Sequence, residues 1–150
     1  MIPEQPIMKR LMLTLAFVLA AAGTPAFAQT TGGVRVEFQG PGGHSFGAYG
    51  RVSALHAAAR AVILIQKALP AGSYQITNLT GGNSVNAIAS DGLIELKLTA
   101  GSTKAYEALV AAVTKAAAEG AAAENAFRGV KTGDLTSGAP AAVRSSVTRF

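Results

Sequence analysis

The chain has 150 residues, a formal net charge of +5, 17 glycines and no cysteine. That length bounds it to about one domain, and the missing thiols exclude disulfides and thiolate metal sites. Its basic residues are scattered, with neither the run nor the aromatic interleaving that nucleic-acid binding requires, so the charge reads as a solvated surface and nucleic acid is not an expected partner.

Met8-Lys9-Arg10 is a small cationic start, Leu11 to Ala22 is continuously apolar, and Gly23-Thr24-Pro25 breaks the run before Ala26-Phe27-Ala28. This order predicts a secretory signal peptide over residues 1–28, cleaved before Gln29, and a periplasmic or secreted location. The apolar run is shorter than the roughly 20 residues of a membrane span, so no membrane contact is expected after its removal. Residues 29–132 are read as the folded domain and 133–150 as a C-terminal tail.

Val34, Val36 and Phe38 alternate with Arg35, Glu37 and Gln39, the period of a half-buried strand. A glycine-rich loop follows, Gly40 to Gly50, carrying His44, Ser45, Phe46 and Tyr49; here backbone freedom and chemistry coincide. Residues 51–69 predict a helix stopped by Pro70 and Gly72. At 100° per residue it has two apolar stripes. Val52, Leu55, Ala59, Val62, Ile63 and Leu69 read as the core face. Ala57, Ala61, Leu64 and Ala68, with Ile65 at their margin, read as a second face for close approach of another subunit.

Residues 73–80 predict a strand, 84–88 a short extended piece, and Ser90-Asp91-Gly92 a turn. Ile94, Leu96 and Leu98 alternate with Glu95 and Lys97 in the next strand. Ser102 and Thr103 offer an N-cap to an alanine-rich helix carrying Tyr106, Leu109, Val110, Val113 and Ala117, expected to stop at Gly120. The last strand is placed over Glu124 to Lys131, with Phe127 or Val130 inward. Strand, helix, strand, strand, helix, strand predicts an α+β fold of ferredoxin-like βαββαβ type, a four-stranded antiparallel sheet with both helices on one face.

Gly43-His44-Ser45-Phe46-Gly47 fits the nucleophile-elbow spacing, but no histidine follows His56 to complete a triad. The loop lacks the Gly-Lys-Ser/Thr of a phosphate loop. His44 and His56 are the only histidines, and neither has a carboxylate at ligand spacing, so no metal or other cofactor is expected. His56, near the core stripe, reads as structural.

Gly42-Gly43-His44-Ser45, Ala54-Leu55-His56-Ala57 and Gly81-Gly82-Asn83-Ser84-Val85-Asn86-Ala87-Ile88 together resemble the lid, or dimerisation, domain of the zinc metallopeptidase family of carboxypeptidase G, aminoacylase, succinyl-diaminopimelate desuccinylase and tripeptidase (peptidase T). The resemblance covers roughly residues 33–138. It implies a ferredoxin-like domain that pairs two-fold through helix 51–69 and edge strand 73–80. It further implies that His44 reaches a partner's active site to bind substrate and stabilise an oxyanion, and that Asn86 contacts substrate beside it. Ala89 stands where that family has proline, Lys97 where it has arginine, and Gly133 to Gly138 looks like an altered return into the catalytic domain. The family's zinc ligands and carboxylate base fall outside the lid. The expectation is therefore a stand-alone, non-catalytic homodimer. The alternatives are an accessory subunit lending His44 and Asn86 in trans to a metallopeptidase catalytic domain, and a remnant of such an enzyme.

Overall fold

In the computed structural model, which describes residues 29–150, the elements in chain order are β1 (Thr30–Gln39), β2 (Gly43–His44), α1 (Ala54–Ala68), β3 (Tyr74–Thr80), β4 (Ala87–Ile88), β5 (Asp91–Ala100), α2 (Thr103–Phe127), β6 (Leu135–Thr136), β7 (Ala139–Pro140) and β8 (Arg144–Arg149). The signal-peptide reading of residues 1–28 lies outside the described residues. Alternation in β1 buries Val34, Val36 and Phe38, and alternation in β5 buries Ile94, Leu96 and Leu98. The two strands pair antiparallel with Val34 opposite Leu96 and Val36 opposite Ile94, so their apolar sides fall on one face. With β3 beyond β5 and β8 beyond β1, the sheet order is β3-β5-β1-β8, antiparallel throughout. This is the expected ferredoxin-like arrangement.

Both helices cover the apolar face, α1 over β5 and β1, α2 over β8, β1 and β5. Ser53 caps α1, its Oγ accepting the His56 N–H at 3.4 Å, and Ser102 caps α2, accepting from Ala105 N–H at 3.2 Å. Among the described residues no helix is long and apolar enough to cross a membrane.

Three expectations need correction. The first concerns α1. Its buried residues are Ala54, Ala57, Ala58, Ala61 and Ile65. Ala57, Ala61 and Ile65, expected at a subunit interface, are thus core, while Leu64 is half-buried in a groove beside α2 and Ala68 is exposed. Conversely Ala59 is exposed and Ile63 is 52% exposed, with Leu55 and Val62 intermediate. The small residues do admit a close neighbour, but that neighbour is the chain's own α2. At the crossing Gly120 lies so near that a Cβ on it would sit 2.8 Å from the Ala57 carbonyl oxygen and from the Ala61 nitrogen.

The second correction follows from the same contact. Gly120 does not stop α2, which runs on to Phe127; it is the helix's point of closest approach rather than its end. The third concerns the last strand. Residues 124–127 are helical, and the fourth strand is β8, within the stretch read as a tail. Pairing of Val36 with Val147 and Phe38 with Ser145 fixes its register. Asn125 orients its entry, donating Nδ2–H to the Val143 carbonyl at 3.0 Å and accepting the Val143 N–H on Oδ1 at 2.8 Å. The predicted turn at residues 90–92 is shorter than expected, because Asp91 and Gly92 already belong to β5.

Candidate functional site

The glycine-rich loop closes as a small two-stranded ribbon: β2 pairs antiparallel with β4, His44 opposite Ala87 and Gly43 opposite Ile88. Positive φ at Gly42 (60°) and Gly43 (137°) lets the chain double back immediately after β1, a path closed to residues with a side chain. Ser45 N–H donates to the Asn86 carbonyl at 2.9 Å, and Ala48 N–H to the His44 carbonyl at 2.8 Å, so the turn is hydrogen-bonded on both sides. Arg51 ties it down further, donating to the Gly42 carbonyl and to Ser137 Oγ, each at 3.2 Å.

This ribbon brings His44 and Asn86, 42 residues apart in sequence, to 3.4 Å between His44 Nε2 and Asn86 Nδ2. Phe46 N–H donates to His44 Nδ1 at 3.3 Å, which in the neutral ring leaves the proton on Nε2. The Ser84 hydroxyl bonds Asn86 Oδ1 and turns the amide NH₂ toward the imidazole. With that tautomer the His44 Nε2–H and the Asn86 NH₂ are both donors and lie side by side. Around this notch Phe46 and Tyr49 are about nine-tenths exposed, and Val85 is fully exposed. Ser45, the elbow serine of the sequence motif, has neither histidine nor carboxylate as a side-chain hydrogen-bond partner among the described residues.

A second polar cluster escaped the sequence reading. Glu124, fully buried near the end of α2, accepts from Ser53 N–H (3.2 Å), Arg60 Nε (3.1 Å) and Arg128 Nε (3.3 Å), with His56 Nδ1 at 3.8 Å. Burial pushes its carboxyl up, but the Ser53 N–H and the two guanidinium groups together outweigh that and hold it below the ordinary carboxylate value. Arg60 and Arg128 also flank the Phe127 ring at 5.0 and 4.9 Å from its centroid. His56 therefore sits at the rim of a buried ion cluster that joins the two helices. The signal was present only as one of three glutamates in an alanine-rich helix, with Arg128 four residues on and Ser53, His56 and Arg60 more than 60 residues away.

Among the described residues no group of three or more His, Cys, Asp or Glu side chains is placed to hold a metal ion.

The sheet with both helices on one face makes this a ferredoxin-like α+β domain, with the His44–Asn86 pair on the small β2–β4 ribbon. The chain belongs to the peptidase dimerisation domain family, whose model matches residues 29–125; it is the dimerisation part of such peptidases, not their catalytic domain. Similar solved structures include an aminobenzoyl-glutamate utilization protein from Klebsiella pneumoniae (TM-score 0.63, 17% identity, 81% of this chain and 28% of that one). Others are a tripeptidase from Staphylococcus aureus (0.61, 17%, 81% and 29%) and a dinuclear metal-binding peptidase of the M20 family from Bacillus subtilis (0.55, 16%, 81% and 26%). No curated protein sequence matches. The chain thus spans under a third of the length of these structures, and at such identities the likeness shows the fold.

Proposed function

We propose that this chain is an exported, non-catalytic pairing module, in which two copies join through the open edge of β3 and the flank of α1 beside it. The observation that carries this reading is where the apolar surface lies. Ile76 and Leu79 of β3 stand opposite Leu96 and Ile94, and so on the helix side of the sheet. Leu79 is 44% exposed there. With α2 packed on one side of α1, Ala59 and Ile63 of α1 are exposed and Val62 is half-buried. An unpaired strand edge lined by apolar side chains invites a twin. Membership of the dimerisation family supports the same reading.

Sedimentation of the protein at micromolar concentration tests it. A dimer is expected, and Ile63→Lys with Leu79→Lys should release folded monomer; a monomeric wild type would overturn the proposal. A second reading rests on the two-donor notch: the module lends His44 and Asn86 to the active site of a peptidase catalytic domain. His44→Ala would then leave pairing intact and lower the activity of a peptidase co-purified with the chain. Unchanged activity removes this reading.

A further inference from the structure

Beside the notch, and sharing Tyr49, Ser84 and Val85 with its surroundings, lies a cleft of about 600 Å³, within the size range of small-molecule sites. Its walls come from the end of the glycine-rich turn (Tyr49 to Arg51), the first turn of α1, the segment from Gly81 to Ala89, and Arg128 just past α2. His44 and Asn86 do not line it. Its polarity is one-sided: Arg51, His56 and Arg128 face it, and no aspartate or glutamate is among its lining residues. Two carboxylates adjoin it from outside. Glu124 is held by the arginine cluster, and Asp91 accepts the Gly82 N–H at 3.3 Å.

Arg128, which helps to hold Glu124, has donors left over. Its Nε donates to Glu124, yet no described residue accepts from its two terminal nitrogens. The Arg128 side chain is three-quarters buried and its guanidinium lies against Phe127, so its direction is set before any ligand arrives. A planar fork with open terminal N–H groups matches a carboxylate. Arg51, by contrast, has both terminal nitrogens bonded to neutral acceptors, the Gly42 carbonyl and Ser137 Oγ; it adds positive charge to the cleft, while Arg128 offers the open fork. The remaining wall is aliphatic: Leu55, Val85, Ala87, Ile88 and Ala89.

We propose that this cleft binds a small aliphatic carboxylate, its anionic end on Arg128 with His56 beside it and its chain along the Leu55–Val85–Ile88 wall. The site lies within one chain and does not depend on pairing.

The test is an amide-resonance titration of the protein with hexanoate, hexanamide and inorganic phosphate. Hexanoate should shift Arg51, Leu55, Gly81 to Ala89 and Arg128 saturably, and the other two should bind about ten-fold more weakly or not at all. Arg128→Lys, which keeps the charge beside Glu124 but removes the fork, should weaken hexanoate several-fold. Val85→Glu, at an exposed rim position away from the ion cluster, should do the same by repulsion, and Val85→Gln, which loses the aliphatic contact without adding charge, should weaken it less. Hexanamide binding as tightly as hexanoate would overturn the anion assignment, and phosphate binding as tightly would overturn the aliphatic one. Unaltered binding in both Arg128→Lys and Val85→Glu would overturn the site itself.

Discussion

The crossing of α1 and α2 at Gly120 yields the sharpest stability prediction. A Cβ at this position would meet the Ala57 carbonyl oxygen, the Ala61 nitrogen and the Ala61 Cβ, each at 2.8 Å. Two of those three are backbone atoms, which cannot swing aside as a flexible side chain would. Gly120→Ala should therefore force the helices apart, costing about 1–3 kcal/mol of overpacking and returning about 1 kcal/mol of helix propensity, a net loss of about 1 kcal/mol. Gly120→Val adds two more methyl groups at the same contact and regains less propensity, for a net loss of about 3 kcal/mol. Ala118→Val, two residues earlier on an exposed face, is the control, since it should lose only the propensity difference of about 0.6 kcal/mol. Urea unfolding measures all three. If Gly120→Val and Ala118→Val have the same midpoint, the helices do not approach as described, and the alanine stripe of α1 is free for another partner after all.

Glu124→Gln keeps the shape of the buried cluster but removes its charge, and should cost about 2 kcal/mol in the same assay, moderated because Arg60 and Arg128 reach partly into solvent. Because the folded-state pKa of Glu124 lies below the unfolded value near 4.5, its contribution is complete above that pH and is lost as pH falls through the folded pKa. The acid limb of the stability–pH profile should accordingly flatten in the Gln variant. Ser53→Ala removes the α1 cap and should cost about 1 kcal/mol. Arg51→Ala frees the glycine-rich turn from Gly42 and Ser137, so hydrogen exchange should quicken across residues 42–50 while global stability changes by less than about 1 kcal/mol.

What the sequence disclosed, and what it hid, divides along physical lines. β1 and β5 are central strands with one buried face, and strict alternation of Val, Phe, Ile and Leu against charged residues leaves no other reading. The helix of residues 51–69 was legible as an element, and Val52 and Leu69 are core as expected, but in the middle of the helix Ala57, Ala61 and Ile65 took the buried places expected for Ala59, Val62 and Ile63. Alanine is small enough for either face, and the larger Leu55, Val62 and Ile63 drew the core assignment to the wrong side. The sequence holds no sign that a glycine 60 residues later would demand small residues opposite it. β8 was invisible because Arg144-Ser145-Ser146-Val147-Thr148-Arg149 carries one apolar side chain and owes its place to edge pairing with β1. His44 and Asn86 entered the candidate site through resemblance; their convergence needed the β2–β4 ribbon, which spans only two residues on each side.

The chain contains no cysteine, so a single one can be introduced at a chosen place and report on which surfaces meet. Gln75→Cys and Thr77→Cys lie on β3, and Ser146→Cys on the opposite edge, β8. Mild oxidation at micromolar protein should cross-link a β3 variant rapidly into a covalent dimer and leave the β8 variant without a covalent link. Equal cross-linking at both edges, or at neither, would contradict pairing through β3.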